Sequence, residues 1–269
     1  MDKEKLKKLA EDPRFIPGIY NYCDRWCERC PFTSRCMNYA LSEDEFDSDE
    51  SKDINNQAFW DKLHGVFHAT LEMVKESAEE MGIDLNAIDH EELAKQEELV
   101  HKKVKEQPYT KAAFTYIEMA NKWFDSNTDL LQGKSEELLA LAQAEIPDAS
   151  PDTDVLIIQD YLEIIRWYQH QIYVKLCRAA SGMIRGELEE AEYFPQDANG
   201  STKVAILGIE RSIAAWGGLL HQFPDQENPI LDVLVALKKL LRKVDAAFPD
   251  ARAFIRPGFD AQEELNDKR

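Results

Sequence analysis

The sequence predicts an all-α protein: a helical bundle of five or six main helices with a small N-terminal four-cysteine metal-binding module. Three observations predict it. Apolar residues recur at three- and four-residue steps along most of the chain. Gly82, Pro108, Pro151 and Pro229 punctuate the periodic stretches where helix ends are expected. No strand-like alternation of useful length occurs. The expected organisation is a cysteine-cluster module over 1–40, an acidic linker or loop over 41–56, and a helical bundle domain over 57–269.

At 269 residues, 44% hydrophobic and 31% charged, the chain has an ordinary globular composition. A chain of this length buries roughly 75% of its unfolded surface, so a sizeable core is expected. The 51 acidic against 32 basic residues leave a net charge of −19, which repels a phosphate backbone or an anionic membrane unless a concentrated basic patch offsets it. The densest basic runs, Lys3 to Lys8 and Lys238 to Lys243, lie on expected helices beside acids and read as solvated faces. Nucleic acid and membrane are therefore not expected partners, and a protein is. No apolar run reaches the roughly 18 to 20 residues of a membrane helix, and the stretch from Met1 to Lys8 lacks a signal-peptide core. The expected location is the cytoplasm, where closely spaced cysteines serve as metal ligands rather than disulfides.

The elements follow in order. Residues 41–55 carry seven acids against one lysine and little to bury, the pattern of a linker or loop. Phe59, Leu63, Phe67, Thr70 and Val74 mark an amphipathic helix that Gly82 stops. Residues 91–107 are nearly all Glu, Lys and Gln around Leu93, Leu99 and Val100, which predicts an exposed helix ending before Pro108. Ala113, Phe114, Ile117, Ala120 and Phe124 define a helix over 110–125, and a shorter one follows over 135–144. Ser150-Pro151-Asp152 supplies an N-cap, a first-turn proline and a first-turn acid for a long helix. From Val155 to Met183 apolar residues surround that helix almost completely, which predicts a place in the middle of the bundle. Asn199-Gly200-Ser201 opens a helix over 202–222, and Asn228-Pro229 caps the last, over 230–248.

The chemically specific feature is Cys23, Cys27, Cys30 and Cys36, four thiols within 14 residues at gaps of three, two and five. Four crowded thiolates repel one another, and a metal or cluster removes that cost by bonding them, adding folding energy to a module too small for its own core. A Cys₄ zinc site and an oxidised four-iron cluster both carry net negative charge, so Arg25, Arg29 and Arg35 suit either. One short loop wrapped round a single centre leans towards iron, since structural zinc often joins two separated knuckles.

The run Cys27-Glu-Arg-Cys30-Pro31-Phe-Thr-Ser-Arg-Cys36 resembles the iron–sulfur loop of helix-hairpin-helix DNA glycosylases, and its gaps are similar to those of SPASM domains. The resemblance covers about 15 residues. It implies that Cys27, Cys30 and Cys36 ligate a [4Fe-4S] cluster with Cys23 as the fourth ligand. It does not extend to DNA repair: in those glycosylases the first cysteine stands farther upstream, and this chain lacks their hairpin glycine signature and a basic surface. The gaps from Cys23 to Cys30 also match the radical S-adenosylmethionine triplet, but that chemistry needs an α/β barrel and an open iron. A helical chain with a fourth cysteine meets neither condition.

Outside the cysteines, His64, His68 and Glu72 stack at four-residue steps on one helix and are second-site metal candidates, against a reading as the border of an amphipathic helix. Glu163, Arg166 and His170, with Glu210 on another helix, are the candidate catalytic residues if the two helices face each other around a buried polar site. Ala214-Ala215-Trp216-Gly217-Gly218 predicts close helix packing, and Cys177 reads as a small buried hydrophobe. Neither a phosphate loop nor a nucleophile elbow is present.

Three functions follow from these residues. The first is a four-cysteine [4Fe-4S] protein with a redox, sensing or structural role. The second is a non-enzymatic interaction module clipped by Zn2+. The third is a bundle enzyme with its own polar or metal site.

Overall fold

The computed structural model describes residues 3–144, 150–189 and 193–260. Every regular element among them is helical: α1 (Lys3–Glu11), α2 (Met37–Glu45), α3 (Asp49–Lys52), α4 (Gln57–Glu80), α5 (His90–Glu106), α6 (Pro108–Ser126), α7 (Thr128–Gln143), α8 (Pro151–Glu189), α9 (Tyr193–Gln222) and α10 (Glu227–Ala247), with short 3-10 turns between some of them. Seven of these, α4 to α10, have 16 residues or more, where five or six were expected. No helix among the described residues is long and apolar enough to cross a membrane. The chain forms two compact units, Met1–Glu98 with Ile255–Arg269, and Leu99–Phe254.

The second unit is built on α8 and α9, with α6 against α8 and α10 and with α7 against α8. Ile165, Tyr168, Ile172, Leu176 and Ala180 form the buried stripe of α8, at three- and four-residue steps. The helices meet closely where side chains are missing: a Cβ on Gly208 would stand 2.9 Å from the Tyr168 ring, and one on Gly218 would stand 2.3 Å from the Tyr161 ring. The small-residue run of α9 therefore does mark tight packing. Trp216, fully buried, donates its indole N–H to the Tyr116 hydroxyl at 3.2 Å and packs edge-on to Trp123.

Two expectations change here. The long helix α8 is not surrounded by protein, since Leu156 and Val174 are 66% and 57% exposed; α9, α6 and α7 cover one side of it and leave the other to solvent. The helix α9 begins at Tyr193, not at Thr202. The Asn199-Gly200-Ser201 run that reads as an opener lies within it, because Ala198, Ser201 and Thr202 are fully buried and their packing outweighs a local capping preference.

In the first unit α1 and α3 pack on α4. Gly82 (φ 70) ends α4 in a left-handed turn, with the Ile83 N–H donating to the Ala78 carbonyl at 2.8 Å. The acidic segment expected as a linker or loop holds the end of α2 and all of α3. Ser48 and Ser51 form a capping box there, and Lys5 pairs with the buried Glu45 at 3.0 Å and with Asp44. The apolar stripe of α4 is exposed from Phe67 through Leu71 and Val74, because helices of nine and four residues cannot cover one of 24.

Candidate metal centre

The cysteine segment is a chain of 3-10 turns, and each turn delivers a thiol. In Cys27–Arg29 the Cys30 N–H donates to the Cys27 carbonyl at 3.1 Å. In Thr33–Arg35 the Cys36 N–H donates to the Thr33 carbonyl at 3.2 Å. Cys30 is extended (φ −86, ψ 124), as a residue before Pro31 must be. Between Cys23 and Cys27 the chain reverses at Arg25, whose φ of 59 makes it the one non-glycine residue in the left-handed region among those described. That conformation costs an L-residue roughly 1–2 kcal/mol and is kept only where the surroundings demand it. Cys36 stands at the N-cap position of α2. The Ile16 N–H ties the loop to the preceding chain through the Arg35 carbonyl at 3.0 Å.

These turns bring Cys23, Cys27, Cys30 and Cys36 to the wall of one cavity, completed by Ile19, Tyr20, Trp26, Phe32, Tyr39 and Phe259 together with the polar Asp24, Arg25 and Thr33. All four thiols are half-buried and free of disulfides. Burial pushes the Cys27 thiol above its ordinary value, and the neighbouring Cys23, Cys36, Glu28 and Cys30 push it further the same way. The Cys27 thiol therefore resists ionisation unless a cation shares its charge. The Phe32 N–H donates to Cys30 Sγ at 3.5 Å, and the Cys23 thiol donates to the Tyr20 carbonyl at 3.6 Å. Arg25, Arg29 and Arg35 stand exposed round the loop, with the Arg29 guanidinium 4.1 Å from the centre of the Trp26 ring. Among the described residues, no three His, Cys, Asp or Glu side chains are already drawn together as ligands of a single ion. What the cysteines share is the cavity.

The remaining candidates are not brought together. His64, His68 and Glu72 lie exposed on α4, where His68 Nδ1 pairs with Glu72 at 3.5 Å. On α8, Arg166 and His170 are exposed, with the Arg166 guanidinium 4.7 Å from the Phe124 ring centre, while Glu163 accepts from Gln159 at 2.8 Å. Glu210 pairs with Arg252 at 2.9 Å. Arg166 and His170 lie on the solvent-facing side of α8, so the four are not buried together in one site. Cys177 is partly buried, with burial raising its thiol against an opposing hydrogen bond from Tyr173.

Sequence reasoning missed Phe259. It reaches the cavity from the far end of the chain, and no local pattern marks it. Comparison of the chain with protein families, with curated proteins and with solved structures finds no match.

Proposed function

We propose that this chain is a [4Fe-4S] protein whose cluster is held by Cys23, Cys27, Cys30 and Cys36, with a redox, sensing or structural role. One observation carries the reading: all four thiols of a 14-residue segment line a single cavity whose other walls are largely aromatic and aliphatic. Such walls keep water from a cluster and so tune its potential, a feature that a purely structural zinc clip does not need. The donor set fits, because thiolate ligands are common to iron–sulfur and zinc sites.

When bound, such a cluster supplies one-electron transfer and cross-links its loop. The chain's own residues do the rest. The 3-10 turns hold Cys27, Cys30 and Cys36 in place, and the Phe32 N–H stabilises charge on Cys30 Sγ. Arg25, Arg29 and Arg35 offset the negative charge of four thiolates. The partner is a protein, in keeping with a net charge of −19.

The test is elemental: iron, zinc and acid-labile sulfide measured on the full chain purified without oxygen, beside the double variant Cys27→Ser, Cys30→Ser. Iron and sulfide in near-equal amounts, both lost in the variant, are expected. One zinc without sulfide would make the loop a structural clip and the chain an interaction module. Absence of metal from both proteins would refute the reading.

A further inference from the structure

Residues 256–260 fold into a closed strap at the cysteine cavity. The Phe259 and Asp260 N–H groups donate to the Arg256 carbonyl at 3.2 and 3.1 Å. The Arg256 side chain grips Asp260 through both carboxylate oxygens, at 3.0 and 2.9 Å, and its guanidinium lies 4.9 Å from the Phe259 ring centre. Gly258 (φ 78) turns the strap down onto the body: a Cβ there would stand 2.9 Å from the Cδ1 atoms of both Ile16 and Ile19. The Phe259 ring then meets Phe32 edge-on at 5.1 Å, and Ile19, Phe32 and Phe259 are all walls of the cavity.

Resting on the cluster reading above, we infer that this strap is the closure of the cysteine cavity, with Phe259 as its plug, and that it sets how fast reagents and chelators reach the four thiols and the metal they hold. The strap belongs to no helix, and its Arg256–Asp260 pair is internal to it, so it can lift as a unit by parting the Phe259–Phe32 rings and unseating Gly258 from Ile16 and Ile19 while every helix stays intact. Segments held in this way open at a small fraction of the global unfolding free energy. The segment comes from more than 200 residues beyond the cysteines. Occupancy of the cavity is thereby linked to the order of residues 256–260, a means by which metal loss becomes readable at the surface.

The experiment uses the full chain in two states. Loaded protein is mixed with excess EDTA under nitrogen and iron release is followed. Metal-free protein is treated with iodoacetamide and alkylation is quantified cysteine by cysteine. Phe259→Ala is expected to accelerate iron release and alkylation of Cys23, Cys27, Cys30 and Cys36 by roughly two- to tenfold, the worth of one edge-on aromatic pair. Cys177, which lies in the other unit, should react at its wild-type rate. Phe259→Leu, which keeps an apolar plug, should stay within about twofold of wild type. Unchanged rates in Phe259→Ala would overturn the inference, and so would an equal acceleration at Cys177, which would signal general loss of structure. A wild-type protein without iron or sulfide would overturn the cluster reading alone, because the alkylation measurement tests the strap without metal.

Discussion

Gly258 and Gly82 form a matched pair that separates backbone strain from packing. Both are left-handed, at φ 78 and φ 70, and both belong to the same compact unit. Alanine at either position incurs roughly 1–2 kcal/mol for that conformation, partly offset by a loss of unfolded-state entropy worth about 0.4–1 kcal/mol. The surroundings differ. Nothing lies within 4 Å of a Cβ on Gly82, whereas on Gly258 it would stand 2.9 Å from two isoleucine methyls. One of these belongs to Ile19, 2% exposed in the cavity wall, so the clash is relieved only by shifting side-chain ends, one of which lines the cavity. Overpacking of this kind costs about 1–3 kcal/mol more, which raises the opening equilibrium of the segment roughly 5- to 150-fold. Amide hydrogen exchange by mass spectrometry reads it: Gly258→Ala should lose protection over 256–260 by that factor beyond the loss that Gly82→Ala causes at the end of α4, with faster thiol alkylation in the cysteine loop. Gly82→Ala should show only a small change, confined to the end of α4. Equal effects at the two positions would show that Gly258 is needed for its φ alone and that the strap does not press on the cavity wall.

Two further outcomes test the second unit. Burial pushes Tyr116 and Tyr109 up to about 12, so both should ionise well above the ordinary tyrosine range in a titration followed by tyrosinate absorbance. Their folded-state values lie above the unfolded ones, so the stability they hold is complete below about pH 10 and is lost as pH rises towards 12, by roughly 2–3 kcal/mol each. All nine tyrosines titrating together, without unfolding, would contradict the packing of α6. Arg252 bridges Glu210 at 2.9 Å and Asp245 at 2.8 Å, all three partly exposed. Arg252→Ala should therefore cost no more than about 1 kcal/mol in urea denaturation, and the difference should vanish in high salt. A larger, salt-insensitive loss would mean that the pair is more enclosed than its exposure indicates.

Elements whose signals are local were legible. The first-turn proline and flanking acids of Ser150-Pro151-Asp152 mark the start of α8, and Gly82 marks the end of α4, because caps and left-handed stops act within one turn. Asn199-Gly200 misled for the same reason. A capping preference of about 1 kcal/mol was read where the burial of Ala198, Ser201 and Thr202 decides. The candidate site divides in the same way. The four cysteines announce themselves by spacing, but the grouping of Glu163, Arg166 and His170 with Glu210 depended on which faces of α8 and α9 meet, and periodicity does not specify that. The acidic stretch 41–56 reads as a linker or loop because composition does not reveal a buried Glu45 paired with Lys5, 40 residues away.

The amino-acid sequence by itself determined the helical class, most helix ends and the close spacing of the four cysteines, since each depends on interactions within a few residues. Tertiary structure alone decided that α8 keeps an exposed side, that the polar residues of α8 do not form a buried site with Glu210, and that a strap from the distal end closes the cysteine cavity. These outcomes depend on contacts between residues tens to hundreds of positions apart, whose energies come from shape and burial and leave no periodic trace in the chain.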